Sequence, residues 1–139
     1  MAATLVDWSR GFETGLDWQD AQHRELFDRL VALDKAIEQR QSREVVSRTL
    51  TFLDDYVETH FGQEEEWMQK TAYQEAAQHR AEHEDFRLML ATFHQFVTRT
   101  RKLVLATKIR AELNQWFLQH IQTTDKRLGG FLKKKGAGA

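Results

Sequence analysis

Apolar residues recur along most of the chain at alternating steps of three and four residues, the spacing of an amphipathic helix. The stripe formed by Val46, Leu50, Leu53 and Val57 is the clearest example. Comparable stripes predict four helices, over about residues 20–39, 42–70 and 74–102, and from residue 105 or 108 to the glycine pair at 129–130.

Short connections between the predicted helices indicate an all-α protein, an antiparallel up-down-up-down four-helix bundle. The 139 residues include no proline and only 7 glycines, so little interrupts long helices. We expect one domain over residues 1–132, with an N-terminal arm over residues 1–18 and the bundle over residues 19–132. Residues 133–139 are expected to form a flexible tail.

Two polar residues interrupt the stripe of the second predicted helix. Beyond Val57 the same spacing leads to His60 and Glu64, at positions where a bundle normally buries Leu or Ile. A histidine and a glutamate four residues apart project from the same helix face. A buried carboxylate is unfavourable unless it is paired or coordinated. An isolated pair of this kind is also typical of an ordinary core histidine, so the rest of the chain has to decide.

The other three stripes contain polar residues at corresponding places. The polar core positions are His23 in the first predicted helix, His60 and Glu64 in the second, His79 and His83 in the third, and His120 and Asp125 in the fourth. In an antiparallel bundle these helix portions share one end. Five imidazoles and two carboxylates should therefore converge, whereas His94 falls outside the cluster.

This ligand set suits a borderline divalent metal such as iron, zinc, copper or manganese. Seven ligands exceed what one tetrahedral or octahedral ion uses, so the count predicts two metal ions. Asp125 follows His120 by five residues, about 140° around an α-helix. That offset favours a carboxylate that reaches sideways to bridge to a second ion.

Composition excludes several other functions. The net charge of -1 gives no field that would attract nucleic acid or an anionic membrane. The absence of cysteine excludes disulfides, thiolate metal sites and thiol catalysis. Residues 1–10 lack the features of a signal peptide, and no apolar run is long enough to span a bilayer. We expect a cytoplasmic protein without nucleic-acid or membrane partners.

The order of the motifs resembles the bacterial hemerythrins: a lone His, then His-x-x-x-Glu, His-x-x-x-His and His-x-x-x-x-Asp, over about residues 8–132. Tyr73 six residues before His79 and Trp116 four residues before His120 agree with this resemblance. It implies a centre of two iron ions (Fe²⁺/Fe³⁺) joined by an oxo or hydroxo bridge. It also implies the following ligands: His79, His83 and His120 on one iron, His23 and His60 on the other, and Glu64 and Asp125 bridging. One position would then stay open on the iron with two histidines, where O₂ would bind.

The resemblance implies a protein that binds O₂ reversibly, for carriage, storage or delivery to an oxygen-consuming partner, and that is not an enzyme. An alternative is an oxygen or redox sensor domain that reports to a signalling partner. A di-iron oxidase or ferroxidase is less favoured. Such bundles typically use four carboxylates and two histidines, with paired Glu-x-x-His motifs.

Overall fold

Four helices make up most of the chain in a computed structural model, which describes residues 12–40, 42–99 and 103–137. Helix α1 is Asp17–Glu38 and α3 is Ala76–Arg99. Helix α2 runs through three segments: Ser42–Tyr56, a π-helical segment Val57–Phe61, and Gly62–Lys70. Helix α4 has the same construction: Leu103–Gln119, a π-helical segment His120–Asp125, and Lys126–Lys134.

The helices pack in a ring. Helix α1 contacts α2 and α4, and α3 contacts these same two helices. Short connections join consecutive helices, so neighbours run in opposite directions. The described residues contain no strand, and none of their helices is long and apolar enough to cross a membrane. The predicted all-α four-helix bundle is confirmed.

Helix α1 begins one turn earlier than predicted, because the preceding residues are tied to its first turn. The Asp20 carboxylate accepts hydrogen bonds from the backbone N–H of Thr14 at 2.8 Å and of Gly15 at 3.2 Å. The Thr14 hydroxyl also donates to it, at 3.0 Å. Asp17 and Asp20 both lie in the first turn, where the helix dipole favours negative charge.

The prediction that the glycine pair ends the fourth helix is wrong, because α4 continues to Lys134. Leu128 and Leu132 extend its apolar stripe and are fully buried. Gly129 is required for a close approach rather than for a helix end. A Cβ at this position would come within 2.8 Å of Thr14 Cβ, in the segment that precedes α1.

The predicted arm and tail are described only in part. Residues 1–11 of the arm lie outside the described residues, and α1 begins within its last two residues. In the tail, Lys133 and Lys134 belong to α4, and residues 138–139 lie outside the described residues. The domain boundaries stay a prediction.

Among the described residues, the apolar core is divided into two clusters. The large cluster fills most of the bundle and includes Leu30, Leu50, Phe93 and Ile109. The small cluster lies at one end and comprises Leu16, Met68, Tyr73, Leu128 and Leu132. Along each helix the polar core positions lie between the small-cluster residues and most of the large-cluster residues. A polar layer is therefore enclosed between two dry regions.

Candidate metal centre

The seven residues that the sequence predicts as ligands lie together in this polar layer. Each is buried, with at most 3% of its surface exposed. Their potential ligand atoms form two overlapping groups, and within each group all atoms lie within 4.8 Å of one another. The first group is Glu64, His79, His83, His120 and Asp125, and the second is His23, His60, Glu64 and Asp125. The side chain of His94 is 41% exposed and contacts Asp54 instead, at 2.9 Å.

The Glu64 carboxylate faces both groups, with a different oxygen toward each. Its Oε1 lies 3.1 Å from His79 Nε2 and 3.1 Å from His83 Nε2. Its Oε2 lies 3.0 Å from His60 Nε2. The carboxylate therefore stands between the histidines of α3 and a histidine of its own helix.

The Asp125 carboxylate divides in the same way. Its Oδ1 lies 3.0 Å from His120 Nε2 and 3.2 Å from His79 Nε2. Its Oδ2 lies 2.9 Å from His23 Nε2 and 4.0 Å from His60 Nε2. Two imidazoles thus face each oxygen of the Asp125 carboxylate.

The π-helical segment of α4 explains how two residues five apart both face this layer. In an α-helix His120 and Asp125 would point in different directions, and we expected Asp125 to reach sideways. The segment His120–Asp125 instead has π-helical hydrogen bonding, which spans five residues per bond. Both ends of the His-x-x-x-x-Asp motif therefore turn inward.

The π-helical segment of α2 turns two consecutive residues inward. His60 and Phe61 are adjacent in this segment and both are buried. The Phe61 ring lies flat against the His83 ring, with centroids 3.8 Å apart and an angle of 3° between the planes. The irregular turn thus supplies a ligand candidate and the side chain that supports another.

The outward-facing nitrogen of His83 is held by an acidic side chain. His83 Nδ1–H donates to Glu65 Oε2 at 2.8 Å. Arg87 donates to the same carboxylate oxygen at 3.3 Å. Burial raises the pKa of Glu65, but the His83 hydrogen bond and the Arg87 charge outweigh it and lower the pKa below its usual value. An ionised Glu65 fixes the His83 tautomer with Nε2 toward the layer.

The outward-facing nitrogens of two further histidines also donate to side chains of neighbouring helices. His120 Nδ1–H donates to Glu82 Oε1 at 2.7 Å. His60 Nδ1–H donates to the side-chain oxygen of Gln22, which also contacts Gln63. The sequence did not identify these partners, because each contact joins different helices and depends on side-chain rotamers.

One buried residue near the carboxylates was not predicted at all. Gln19, in the first turn of α1, is 0% exposed. Its Nε2 donates to Glu64 Oε2 at 2.8 Å and approaches the Asp125 carbonyl oxygen at 3.5 Å. A polar residue one turn before a predicted ligand histidine was the only available signal.

Aromatic rings cover the imidazoles on the side of the large cluster. Tyr56 stacks on His60 with centroids 4.7 Å apart, and Trp116 stacks on His120 at 4.4 Å. Both aromatic residues belong to the large apolar cluster or pack against it. The polar layer is thus shielded from water on this side.

The carboxylates remain ionised in spite of their burial. Burial and the Asp125 charge raise the pKa of Glu64, but His60 and His79 hold it well below its usual range. Burial likewise raises the pKa of Asp125, which the facing histidines, His120 above all, hold well below its usual range. Two negative charges are therefore enclosed in the layer.

The two carboxylate charges raise the pKa values of three of the imidazoles that face them. Burial lowers the pKa of His60, but Glu64 and Asp125 outweigh it and raise the pKa to about 9. The same opposition raises the pKa of His79 to about 10 and that of His120 to about 9. Without metal, the layer is thus neutralised by protons on histidine.

The ligand atoms of the layer are better placed to coordinate metal than to form hydrogen bonds with one another. The Nε2 atoms of His60, His83 and His120 and the Oδ1 atom of Asp125 are buried, yet none makes a hydrogen bond of normal geometry. Buried polar atoms without such bonds are uncommon in native proteins. Nitrogen and carboxylate donors that converge in this way suit iron and other borderline metals.

The fold and the layer together define a class: a four-helix-bundle metalloprotein whose buried site has ligands for two ions. Residues 14–132 match the family model described as the hemerythrin HHE cation binding domain. The chain therefore belongs to the hemerythrin family, and the resemblance seen in the sequence is confirmed.

Similar proteins include two bacteriohemerythrins and one myohemerythrin. The chain is 32% identical over 127 residues to a bacteriohemerythrin of Methylococcus capsulatus, and the aligned region covers 90% of this chain and 95% of that protein. It is 29% identical over 122 residues to a bacteriohemerythrin of Stenotrophomonas maltophilia, and the aligned region covers 88% of this chain and 78% of that protein. It is 28% identical over 128 residues to a myohemerythrin of Theromyzon tessulatum, and the aligned region covers 90% of this chain and 92% of that protein. Family membership and the buried ligand set assign a di-iron centre as the cofactor and oxygen binding as the general function.

Proposed function

We propose that this chain binds O₂ reversibly at its di-iron centre and serves to carry, store or deliver oxygen without acting as an enzyme. The observation that carries this proposal is that the two oxygens of each carboxylate, Glu64 and Asp125, face different groups of histidines. Each turns one oxygen toward a group of three histidines and the other toward a group of two. Such an arrangement suits two ions that share both carboxylates.

The ligand assignment follows this division. His79, His83 and His120 would hold one iron, His23 and His60 the other, and Glu64 and Asp125 would bridge them. The second iron would have one histidine fewer, so the position open to O₂ falls on its side. When bound, the di-iron centre supplies the electrons on which reversible O₂ binding depends.

The protein side chains keep this position dry and the ligands fixed. Tyr56 and Phe61 belong to the large apolar cluster and Leu16 and Met68 to the small one, so apolar residues close the layer from both directions. Exclusion of water strengthens the electrostatic interactions inside and prevents the hydrolytic loss of a bound ligand. Leu16, Phe61 and Met68 have no titratable group. Burial, with the nearby Asp125 and Glu64 charges, raises the pKa of the Tyr56 phenol well above its usual value, so that it keeps its proton.

The nearby acidic residues support binding over oxidation. Glu65 and Glu82 approach the site, but each accepts a hydrogen bond from the outward nitrogen of a ligand histidine, His83 and His120. They therefore act on the imidazoles and are not positioned as extra metal ligands. Carboxylate-rich sites with four such ligands are typical of di-iron bundles with oxidative chemistry. This site has two.

Anaerobic loading with Fe²⁺ tests the proposal. We expect two irons per chain and a visible absorption band that appears with O₂ and fades when the sample is purged with argon. Rapid irreversible oxidation would contradict reversible binding and favour a redox sensor or an oxidase. One iron per chain, or none, would overturn the ligand assignment.

A further inference from the structure

Gln19 is a polar residue at a position that has no exposure to water. It is fully buried beside the small apolar cluster. Burying an amide is unfavourable unless hydrogen bonds compensate. Its Nε2 finds such a bond at 2.8 Å, with Glu64 Oε2 as the acceptor. The amide is therefore retained at this position by the carboxylate that it contacts.

The orientation of the amide is determined by its partners. An ionised carboxylate has no hydrogen to donate, so the Gln19 NH₂ group must face Glu64. The second neighbour of Nε2 is the Asp125 carbonyl oxygen, at 3.5 Å, which is also an acceptor. One amide thus contacts one of the two shared carboxylates and the backbone of the other.

The space for Gln19 depends on the glycine at position 129. A Cβ at Gly129 would lie 2.9 Å from Gln19 Oε1 and 2.8 Å from Thr14 Cβ. At Gly130, the next residue of the same helix, a Cβ would meet nothing within 4 Å. The absence of a side chain at Gly129 therefore leaves room on α4 for Gln19, and the Gln19 amide oxygen packs against the α4 backbone there.

We infer that Gln19 is a positioning residue that holds Glu64 in its bridging orientation and makes the di-iron centre harder to oxidise. This inference rests on the proposed function, because it requires Glu64 to be a metal ligand. It concerns a different property, the balance between the diferrous and diferric states.

The direction follows from the charge on the carboxylate. A hydrogen bond to Oε2 withdraws negative charge from the oxygen that faces His60, on the side of the proposed O₂ position. When the ligand becomes less electron-rich, Fe³⁺ loses more stabilisation than Fe²⁺, so the reduction potential rises. The oxygen-free diferrous protein would then lose electrons to adventitious oxidants more slowly.

Gln19→Met tests this by removing the N–H donor while keeping a side chain of similar length. We expect two irons per chain, a lower midpoint potential and autoxidation about tenfold faster, the lower end of the effects typical of outer partners of metal ligands. Thermal unfolding of the metal-free variant serves as the second measurement, because a purely structural role would change it and leave the potential unchanged.

Gly129→Ala and Gly130→Ala form a matched pair that leaves Gln19 itself intact. Both substitutions favour the helix equally, but only the first presses on the Gln19 amide. We expect Gly129→Ala to lower the potential as Gln19→Met does, and Gly130→Ala to match the wild type. If Gln19→Met loses its iron, this pair decides the question.

The inference is overturned if Gln19→Met holds two irons at the wild-type potential, or if the two glycine variants have equal potentials. Either result would leave the proposed function standing. Failure of the wild-type protein to hold two irons would refute the proposed function instead, so the two failures are distinguishable.

Discussion

The polar side chains buried among the described residues include the candidate metal centre and a smaller group between α1 and α4. The smaller group is Asp34, Arg110 and Asn114, each at most 7% exposed. Asp34 lies 11 residues beyond His23, about 16 Å along the helix axis. Arg110 Nε is 3.7 Å from Asp34 Oδ1. Both groups contain buried charge in a bundle core, but they have different compositions.

The difference is the source of the positive charge. Asp34 is matched by Arg110, a side chain that is always protonated, so no metal ion is needed. Burial raises the pKa of Asp34 and Arg110 opposes the rise only in part. In the metal centre two carboxylates face histidines, which can give up their protons to a metal ion. Buried polarity therefore indicates a metal site when neutral nitrogen ligands and carboxylates converge without a permanent cation.

The largest expected effect is that of Glu64→Ala. Because each Glu64 oxygen faces a different histidine group, we expect the variant to lose both irons rather than one. It should also lose the stabilisation by metal, about 4 kcal/mol when free metal is a thousandfold above its dissociation constant. Iron analysis and thermal unfolding with and without a chelator measure both effects, and unchanged iron content would refute the assignment.

His94→Ala is the matched control for this variant. His94 is exposed and forms a surface pair with Asp54, of a kind that contributes about 0–1 kcal/mol. Two irons should remain. Loss of iron from this variant would mean that the constellation has been assigned to the wrong histidines.

The protons of the metal centre provide the second comparison. In the metal-free protein His60, His79 and His120 have pKa values of about 9, 10 and 9, so all three are protonated near pH 7. Metal binding requires the neutral imidazole. We expect loading with two Zn²⁺ or Fe²⁺ ions to release about three protons, measurable with an indicator dye in weak buffer.

The sign of the pH dependence follows from the same values. A histidine pKa raised on folding stabilises the metal-free fold fully below the unfolded value of about 6.5. That stabilisation is lost as pH rises through 9 to 10. The metal-free unfolding temperature should therefore fall between about pH 7 and 10, whereas metal affinity should rise. If the metal-free unfolding temperature and the metal affinity changed in the same direction with pH, the assignment of positive charge to these histidines would be contradicted.

The sequence could predict which candidate ligands share a helix face where their spacing matches an α-helix. His60 and Glu64 are four residues apart, as are His79 and His83, and a helical stripe brings such pairs to one face. The five-residue step from His120 to Asp125 required a π-helical segment, for which the apolar periodicity gave no signal. The contact was foreseen, but its geometry was not.

The smaller polar group was missed for a different reason. Arg110 and Asn114 each follow a buried core residue, Ile109 and Leu113, and belong to the same buried face. A narrow stripe of three- and four-residue steps places such neighbours at the helix margin, where long polar side chains normally reach water. Helix α4 is buried over a wider face because α1, α2 and α3 all contact it.

The next prediction concerns this smaller polar group. Asp34→Ala leaves the Arg110 charge buried without its partner, so we expect a loss of about 3 kcal/mol in the free energy of unfolding. Iron content should not change. Replacing both residues, Asp34→Leu with Arg110→Met, should restore most of the stability, because an apolar pair of similar volume substitutes well for a buried ion pair. Urea unfolding in a double-mutant cycle measures the coupling, and an equally unstable double variant would disprove this account of the pair.

The smallest effect is expected from the outer partner of a ligand. Glu65→Gln removes the charge that orients His83 and should weaken metal binding by about 10- to 100-fold, or about 1.4–2.8 kcal/mol, without abolishing it. The neighbouring Glu66 is the matched control, since its carboxylate faces solvent and contacts Lys70. Glu66→Gln removes the same charge one residue away and should leave the affinity unchanged. Competition with a chelator of known affinity compares the two variants. Equal affinities would mean that His83 is held by its stacking on Phe61 alone, whereas a difference would show that part of the site's affinity depends on carboxylates that do not bind the metal.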